Sequence, residues 1–213
     1  MKTLLVASRN TGKAKEIAGL FTHHSVRIIF GIDIGLPDVE ETGTSFEENA
    51  LLKAKEGAYF SGMCSIADDC GLEVVSLNNR PGLFSKRFAL QKGSWQQAMY
   101  HLNKEVHGKP RTAYMCCALA MAWPDGRTVV KTHRVKGTLV MPRGSLGFGF
   151  DPCFLPSGSI QTYGEMTAFR RDSINHRAGA FHNLQPCVDW SNLTPHLGIH
   201  NSREPILPVK RVV

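Results

Sequence analysis

The 213-residue chain is 42% hydrophobic and carries a formal net charge of +7, a composition typical of a globular domain with a sizeable core. No apolar run approaches the roughly 20 residues of a membrane helix, and Arg9 interrupts the short N-terminal apolar segment, so we expect a cytoplasmic protein without a membrane partner. The six cysteines form no CxxC pair, and the scattered basic residues favour a cleft for a small polyanion over a nucleic-acid surface.

A polar turn, Ser8–Lys13, lies between a short buried-strand pattern and a segment with apolar residues at helical spacing. A helix that begins after such a turn presents free N–H groups and the positive end of its dipole, which attract phosphate, and Lys13 adds a positive charge. The turn is not a Walker A loop, because Ala7 and Ala14 stand where that loop requires Gly and Ser or Thr. The alternative is an ordinary capped helix with a solvent-exposed lysine.

Overlapping capping boxes at Thr44 and Ser45 predict a second helix that runs to about residue 60. Asn49 and Lys53 are one turn apart and therefore share a face of this helix. Lys53 is thus expected to point into the groove into which Glu41 projects from the preceding loop, and a solvated lysine is the alternative.

Two adjacent carboxylates, Asp68 and Asp69, lie between two apolar runs in the segment Ile66–Val74. The pattern predicts a strand that brings the pair to the rim of a sheet, with Gly71 breaking the strand and turning the chain away. Buried charge is costly unless it is paired or bound to a metal, so the two acids are a candidate site. Alternatively, Asp68 caps a turn and Asp69 is solvated.

Two long strand patterns, residues 111–123 and 128–140, flank Pro124–Arg127, and the Pro-Asp-Gly sequence predicts a hairpin. Combined with the helices, this hairpin predicts an α/β fold with a mixed sheet. No repeat or linker divides the chain, so we expect a single domain over residues 1–213. Four prolines interrupt a weak pattern after about residue 183, which predicts a loosely packed tail.

The glycine-rich segment Gly144–Pro152 allows the backbone to approach a flat ligand closely, with Phe148 stacking on it and Asp151 accepting a hydrogen bond. A β-bulge with core aromatics is the alternative. Further along, His176 and Arg177 have the donors and acceptors that read the edge of a base.

Taken together and in this order, the motifs resemble the inosine triphosphate pyrophosphatase family, also called the Ham1 family. They are Ser8–Lys13, Glu40–Gly43 with Phe46–Ala50, Ala67–Leu72, Pro81-Gly82, Gly147–Pro152, Glu165–Thr167 and His176-Arg177. The likeness covers roughly residues 1 to 182. It implies an α/β fold with an elongated mixed β-sheet flanked by helices, two lobes around a central nucleotide cleft, and a homodimer. The implied activity is Mg²⁺-dependent hydrolysis of inosine, deoxyinosine and xanthosine triphosphates to the monophosphate and pyrophosphate, which removes them from the nucleotide pool.

The resemblance also implies roles for individual residues. Asp69 resembles the family's general base and metal-linked carboxylate, and Glu41 its second metal ligand, with Glu40 as the alternative. The substrate-binding residues implied by the match are Ser8, Arg9, Asn10, Thr11, Gly12, Lys13, Lys53, Cys70, Phe148, Gly149, Phe150, Asp151, Arg171, His176 and Arg177.

Three positions depart from the family pattern, in which Ser is usual at Cys70 and Asn175 and Lys at Arg171. Cys70 keeps its backbone N–H donor, so we expect the phosphate contact to survive, and Asn175 is still expected to cap the helix. Arg171 keeps the charge but not the point geometry of a lysine, so substrate affinity or base preference is expected to differ.

Two other hypotheses remain open. One is a Maf-type pyrophosphatase with another base preference, against which the glycine-phenylalanine loop and His176-Arg177 argue. The other is a nucleotide- or RNA-binding module without turnover, against which Glu41 and Asp69 argue, because binding alone does not require acids facing phosphates.

Overall fold

Within residues 2–193, the part of the chain that the computed structural model describes, seven strands form one mixed sheet. The strands are β1 (Lys2–Val6), β2 (Val26–Phe30), β3 (Ser65–Val74), β4 (Arg80–Pro81), β5 (Thr112–Ala122), β6 (Thr128–Leu139) and β7 (Phe154–Pro156). Their order is β2-β1-β3-β5-β6-β7, and β4 pairs with β3 outside this path. β1 is parallel to β2 and β3, whereas the other pairs are antiparallel, which confirms the predicted mixed sheet.

Six α-helices flank this sheet in the described part of the chain. They are α1 (Thr11–Gly19), α2 (Phe46–Ser61), α3 (Ser85–Gln91), α4 (Trp95–Glu105), α5 (Ala168–Ile174) and α6 (His176–Leu184). None of the helices within residues 2–193 has the length and hydropathy that crossing a bilayer requires.

Helix α2 shows how sequence and packing agree. The Ser45 hydroxyl caps it by accepting from the Glu48 N–H over 3.1 Å, and the Glu48 carboxylate accepts from the Thr44 N–H over 2.6 Å. Buried alanines along one side, at positions 50, 54 and 58, allow the helix to pack closely against the sheet.

Apolar side chains on the two faces of the sheet form separate clusters. On one face Leu5, Ala67 and Ala118 pack under α2. On the other, Leu4 and Ile66 pack with residues of α1 and α6. A third cluster joins α4 to the far end of β3, β5 and β6. The region between these clusters, along the middle of β3, is where the candidate site lies.

The predicted β5–β6 hairpin is confirmed, with pairing from Thr112↔Thr138 to Ala122↔Thr128. The intervening turn is closed by Asp125, whose carboxylate accepts from the Arg127 N–H over 3.0 Å.

Gly71 does not break β3, contrary to the sequence prediction. The strand continues for ten residues, and Asp68 and Asp69 lie in its middle rather than at a rim. Gly71 is buried where a Cβ atom would lie 2.2 Å from the Gly82 carbonyl oxygen. The glycine therefore allows two backbone segments to approach each other closely and does not form a turn.

The described part of the predicted loose tail packs against the core. Leu184, Val188 and Leu193 are buried, and the Trp190 ring lies 5.5 Å from that of Phe21. These contacts cover the end of α6. Residues 184–193 are therefore packed against the core, whereas the sequence predicted a loosely packed tail. The remainder of the predicted tail, residues 194–213, lies outside the described residues.

Candidate active site

A cleft opens along the middle of β3 because the parallel pairing of β1 with β3 ends at Val6↔Ile66. Beyond that point β1 leads into the turn before α1, and the neighbouring edge of β3 borders the cleft. Successive side chains of a strand project to opposite faces. Asp69 accordingly contacts residues of α2, and Asp68 contacts residues of α1 and α6.

Most of the residues predicted to bind substrate or metal line this cleft. They are Ser8, Arg9, Asn10, Lys13, Glu41, Lys53, Asp69, Cys70, Phe148, Gly149, Phe150, Asp151, Arg171, His176 and Arg177. Thr11 and Gly12, in the first turn of α1, and Glu40, in the loop before α2, are not among the lining residues.

On the α2 side, two carboxylates converge on one ammonium group. Lys53 Nζ donates to Glu41 Oε1 over 2.8 Å and to Asp69 Oδ1 over 3.0 Å. Burial raises the pKa of Asp69, and the opposing effect of Lys53 and Lys13 does not cancel it. Burial also acts to raise the pKa of Glu41, but Lys53 together with Lys13 and Lys86 outweighs it, and the net pKa is lowered.

The two acids fit a magnesium ion. No cluster of three or more His, Cys, Asp or Glu side chains suited to a metal occurs within residues 2–193. Mg²⁺, however, is commonly held by one or two carboxylates, with water and substrate phosphates completing its coordination. Because Glu41 and Asp69 already converge on a single cationic nitrogen, they are placed to share a cation.

On the opposite face of β3, Asp68 belongs to a buried ion network. Its Oδ2 accepts from Arg177 Nε over 3.0 Å and lies 3.5 Å from Lys13 Nζ. Burial acts to raise the pKa of Asp68, but Lys13 and Arg177 together outweigh it and hold the pKa well below its usual range. Glu16 extends the network by pairing with Arg177 and, over 3.2 Å, with Arg171.

The turn before α1 has the geometry of an anion site. Asn10 is the N-cap, and its Oδ1 accepts from the Lys13 N–H over 3.1 Å. The first turn of α1 contains no acidic residue that would oppose an anion. Ser8 accepts from the Asn10 N–H over 3.3 Å and helps to fix the turn.

The glycine-rich loop places Phe148 against this same helix end. Gly147 and Gly149 both have positive φ, and the Phe148 N–H donates to Asp151 Oδ2 over 3.0 Å. A Cβ atom at Gly12 would lie 2.9 Å from the Phe148 ring, so the glycine allows the ring to approach α1. Burial raises the pKa of Asp151 to about 7.

His176 presents an unpartnered imidazole to the cleft. Neither of its ring nitrogens has a hydrogen-bond partner in the described part of the chain, although both are buried. Burial, reinforced by the nearby Arg177, lowers the pKa of His176 well below its usual value. The ring is therefore neutral and has one donor and one acceptor.

Several cleft residues were missed by sequence reasoning. Glu16 had one weak signal, its position beside the buried Ile17 in the first turns of α1. Trp95 lies 3.8 Å from the Cβ position of Gly149 and stacks edge-on against Phe150, but the apolar helical spacing of residues 95–106 gives no sign of a site. Lys86 lines the cleft without any local signal.

Comparison with known proteins identifies the family. Residues 4–187 match the family model described as the Ham1 family. The chain belongs to this family. A Caulobacter vibrioides protein described as a dITP/XTP pyrophosphatase is 44% identical over 189 residues, which are 87% of this chain and 97% of that one.

Solved structures of similar proteins have the same fold. A HAM1 protein from Coxiella burnetii superposes with a TM-score of 0.79 at 29% identity and covers 88% of this chain and 98% of its own. A Mycobacterium abscessus nucleoside-triphosphatase, also described as a dITP/XTP pyrophosphatase, has a TM-score of 0.68 at 37% identity, with 86% and 99% covered. The predicted family and α/β fold class are therefore confirmed.

Proposed function

We propose that this Ham1-family chain hydrolyses inosine, deoxyinosine and xanthosine triphosphates to the monophosphate and pyrophosphate, with Mg²⁺ as cofactor. The observation that carries the proposal is the convergence of Glu41 and Asp69 on Lys53 beside the N-terminus of α1. Cleavage of a phosphoanhydride requires acids next to a phosphate-binding helix end, and this arrangement supplies both. The descriptions of the relatives as dITP/XTP pyrophosphatases support the same reaction.

The triphosphate binds between the N-terminus of α1 and Lys53. The N–H groups of the first turn and the Lys13 ammonium neutralise phosphate oxygens on one side. Lys53 does so on the other, where it also holds Glu41 and Asp69 in place. Positioning and electrostatics of this kind supply most of the acceleration in phosphoryl chemistry.

Asp69 acts as the general base toward the attacking water. Its raised pKa keeps it a better proton acceptor than an exposed carboxylate. When bound at Glu41 and Asp69, Mg²⁺ would polarise phosphate oxygens and favour an ionised water. As the bond breaks, Lys13 and Lys53 stabilise the negative charge that develops on the leaving pyrophosphate.

The base is recognised on the α6 side of the cleft. Phe148 offers an aromatic face, and Arg177 is already engaged by Asp68 and Glu16. The neutral His176 ring or a backbone N–H is therefore the available donor for the 6-oxo group. Against adenine, whose amino group also donates, an unpaired donor would cost about 1–3 kcal/mol.

A homodimer remains a proposal that rests on the family resemblance, and a cytoplasmic location remains one that rests on the sequence pattern. Light scattering on the purified chain would test the first, with a mass near twice 23.5 kDa expected.

The deciding experiment is product analysis. Inosine, xanthosine, adenosine and guanosine triphosphates are incubated separately with the purified chain, with Mg²⁺ or with EDTA, and pyrophosphate is measured against orthophosphate. We expect pyrophosphate and the monophosphate from the inosine and xanthosine substrates only, and only with metal. Turnover mainly of other bases would favour the Maf-type alternative. Nucleotide binding without any product would favour the binding-module alternative.

A further inference from the structure

Asn49, in the first turn of α2, contacts Asp69 and the loop segment that carries Glu41, the two acids that line the α2 side of the cleft. Only 2% of its surface is exposed. Its Oδ1 accepts from the Gly43 N–H over 2.8 Å, and its Nδ2 donates to Asp69 Oδ2 over 3.4 Å. A backbone N–H can only donate and a carboxylate can only accept, so these two neighbours fix which way the amide points. An amide side chain meets both demands, whereas a carboxylate or a hydrocarbon does not.

The Gly43 side of this contact leads directly to Glu41. A Cβ atom at Gly43 would lie 2.6 Å from Asn49 Oδ1, so the loop can approach the amide only with glycine at that position. Two residues earlier, the Glu41 carbonyl accepts from Arg87 over 2.9 Å. The segment that carries Glu41 is therefore anchored to α2 by Asn49 and to α3 by Arg87.

The Asp69 side of the contact determines how its carboxylate is turned. Oδ1 accepts from Lys53 and Oδ2 accepts from Asn49, so each oxygen has a different donor. With the two donors on different residues, rotation of the carboxylate about its terminal bond would break both hydrogen bonds. Asn49 thus contacts both the segment of one proposed metal ligand and the carboxylate of the other.

We propose that Asn49 is a positioning residue that sets the orientation of Asp69 and its separation from Glu41. The inference rests on the proposed function for its kinetic consequences. In metal enzymes, residues that orient the ligands in this way typically change activity or metal affinity by about 10–100-fold when they are replaced.

The kinetic test compares two substitutions. Asn49→Ala removes both hydrogen bonds, whereas Asn49→Asp retains an acceptor for Gly43 but loses the donor to Asp69. We expect both to lower kcat for inosine triphosphate by about 10–100-fold. KM should change by less than about 3-fold, because Lys13 and the α1 N-terminus are untouched. A kcat near that of the unaltered chain in either variant would overturn the proposal.

Asn103 supplies the matched control. It is also a buried asparagine in a helix, its Nδ2 donates to the Met99 and Val140 carbonyls over 2.9 Å, and it does not line the cleft. Asn103→Ala is expected to lower the midpoint of thermal unfolding while kcat is retained. An equal loss of kcat in this control would show that lost stability, rather than positioning, explains the effect.

A metal titration provides a readout that does not depend on turnover. Calorimetry with MnCl₂ alone should give a dissociation constant about 10-fold higher for Asn49→Ala than for the unaltered chain or Asn103→Ala. An unchanged constant would contradict the inference. If the unaltered chain hydrolyses no triphosphate, the proposed function fails, and the Mn²⁺ comparison still decides the role of Asn49.

Discussion

Asp68 and Asp69 are neighbours in the sequence, yet they lie in two different electrostatic environments. The Asp68 side chain is 1% exposed and is held between Arg177 and Lys13. The Asp69 side chain is 7% exposed and shares Lys53 with Glu41. The pKa of Asp68 is held well below its usual range, whereas burial raises that of Asp69.

The difference arises from the alternation of a β-strand. Adjacent side chains point to opposite faces, so one acid joins the network around α6 and the other meets α2. Lys13 and Arg177 pair with Oδ2 of the first acid and keep it ionised, which suits a group that holds other residues in place. The second remains able to accept a proton beside a phosphate site, which suits a base. Substitution of each acid separates the two roles.

The largest effect is expected for Asp69→Asn. An amide cannot take the proton of the attacking water, so kcat should fall by about 1,000-fold or more. The substitution is nearly isosteric, so thermal unfolding and calorimetric binding of inosine triphosphate should stay close to those of the unaltered chain. Pyrophosphate release measures the loss, and retention of more than a few per cent of activity would contradict the assignment.

For Asp68→Asn the main expected effect is on stability. The change leaves Arg177 buried with one fewer anionic partner, which costs about 3 kcal/mol when a buried pair is broken. Urea unfolding of both asparagine variants measures the contrast. Equal free energies of unfolding for Asp68→Asn and Asp69→Asn would remove the distinction between the two faces.

Lys13→Ala tests how the phosphate site depends on a residue that also belongs to the Asp68 network. Its removal should raise KM for inosine triphosphate by about 10–100-fold, since a charge-assisted contact contributes roughly 1.5–3 kcal/mol. Inhibition by inosine monophosphate should weaken less, because the monophosphate lacks the outer phosphates.

Lys15 offers the control for this substitution, because it is an exposed lysine on the same helix. Lys15→Ala should leave both constants unchanged. Equal weakening of triphosphate and monophosphate binding by Lys13→Ala would refute a role toward the triphosphate.

Local sequence signals predicted much of the fold and most of the cleft lining. Capping residues marked the start of α2, and Pro-Asp-Gly marked the β5–β6 turn, because these preferences act over a few residues. The motifs brought Lys53, Glu41 and Asp69 into one hypothesis, and the structure places them in contact. Their catalytic and metal-binding roles stay predictions.

Features that depend on distant backbone segments escaped prediction. Gly71 indicated a turn by local preference, but its packing partner is Gly82, which begins a short 3₁₀ helix directly after β4 and which no periodicity places beside it. Glu16 pairs with Arg177 across 161 positions of sequence, and no local pattern contains that distance. The buried network around Asp68 is therefore a property of the tertiary fold.

The last predicted effect concerns the pH dependence of stability at Asp151. Its folded-state pKa, about 7, lies above the usual value of 3.8 because the carboxyl is buried near Glu16, with only the Phe148 N–H and the more distant Arg171 and Arg177 opposing. A raised folded-state pKa means that the protonated form stabilises the fold below pH ~4, and this contribution is lost as the pH rises to about 7. Asp151→Asn cannot ionise, so it should lose less stability than the unaltered chain between pH 5 and 8, by about 2–3 kcal/mol. Urea unfolding at both pH values measures this difference, and a gap between the two proteins that does not change with pH would show that Asp151 is ionised throughout.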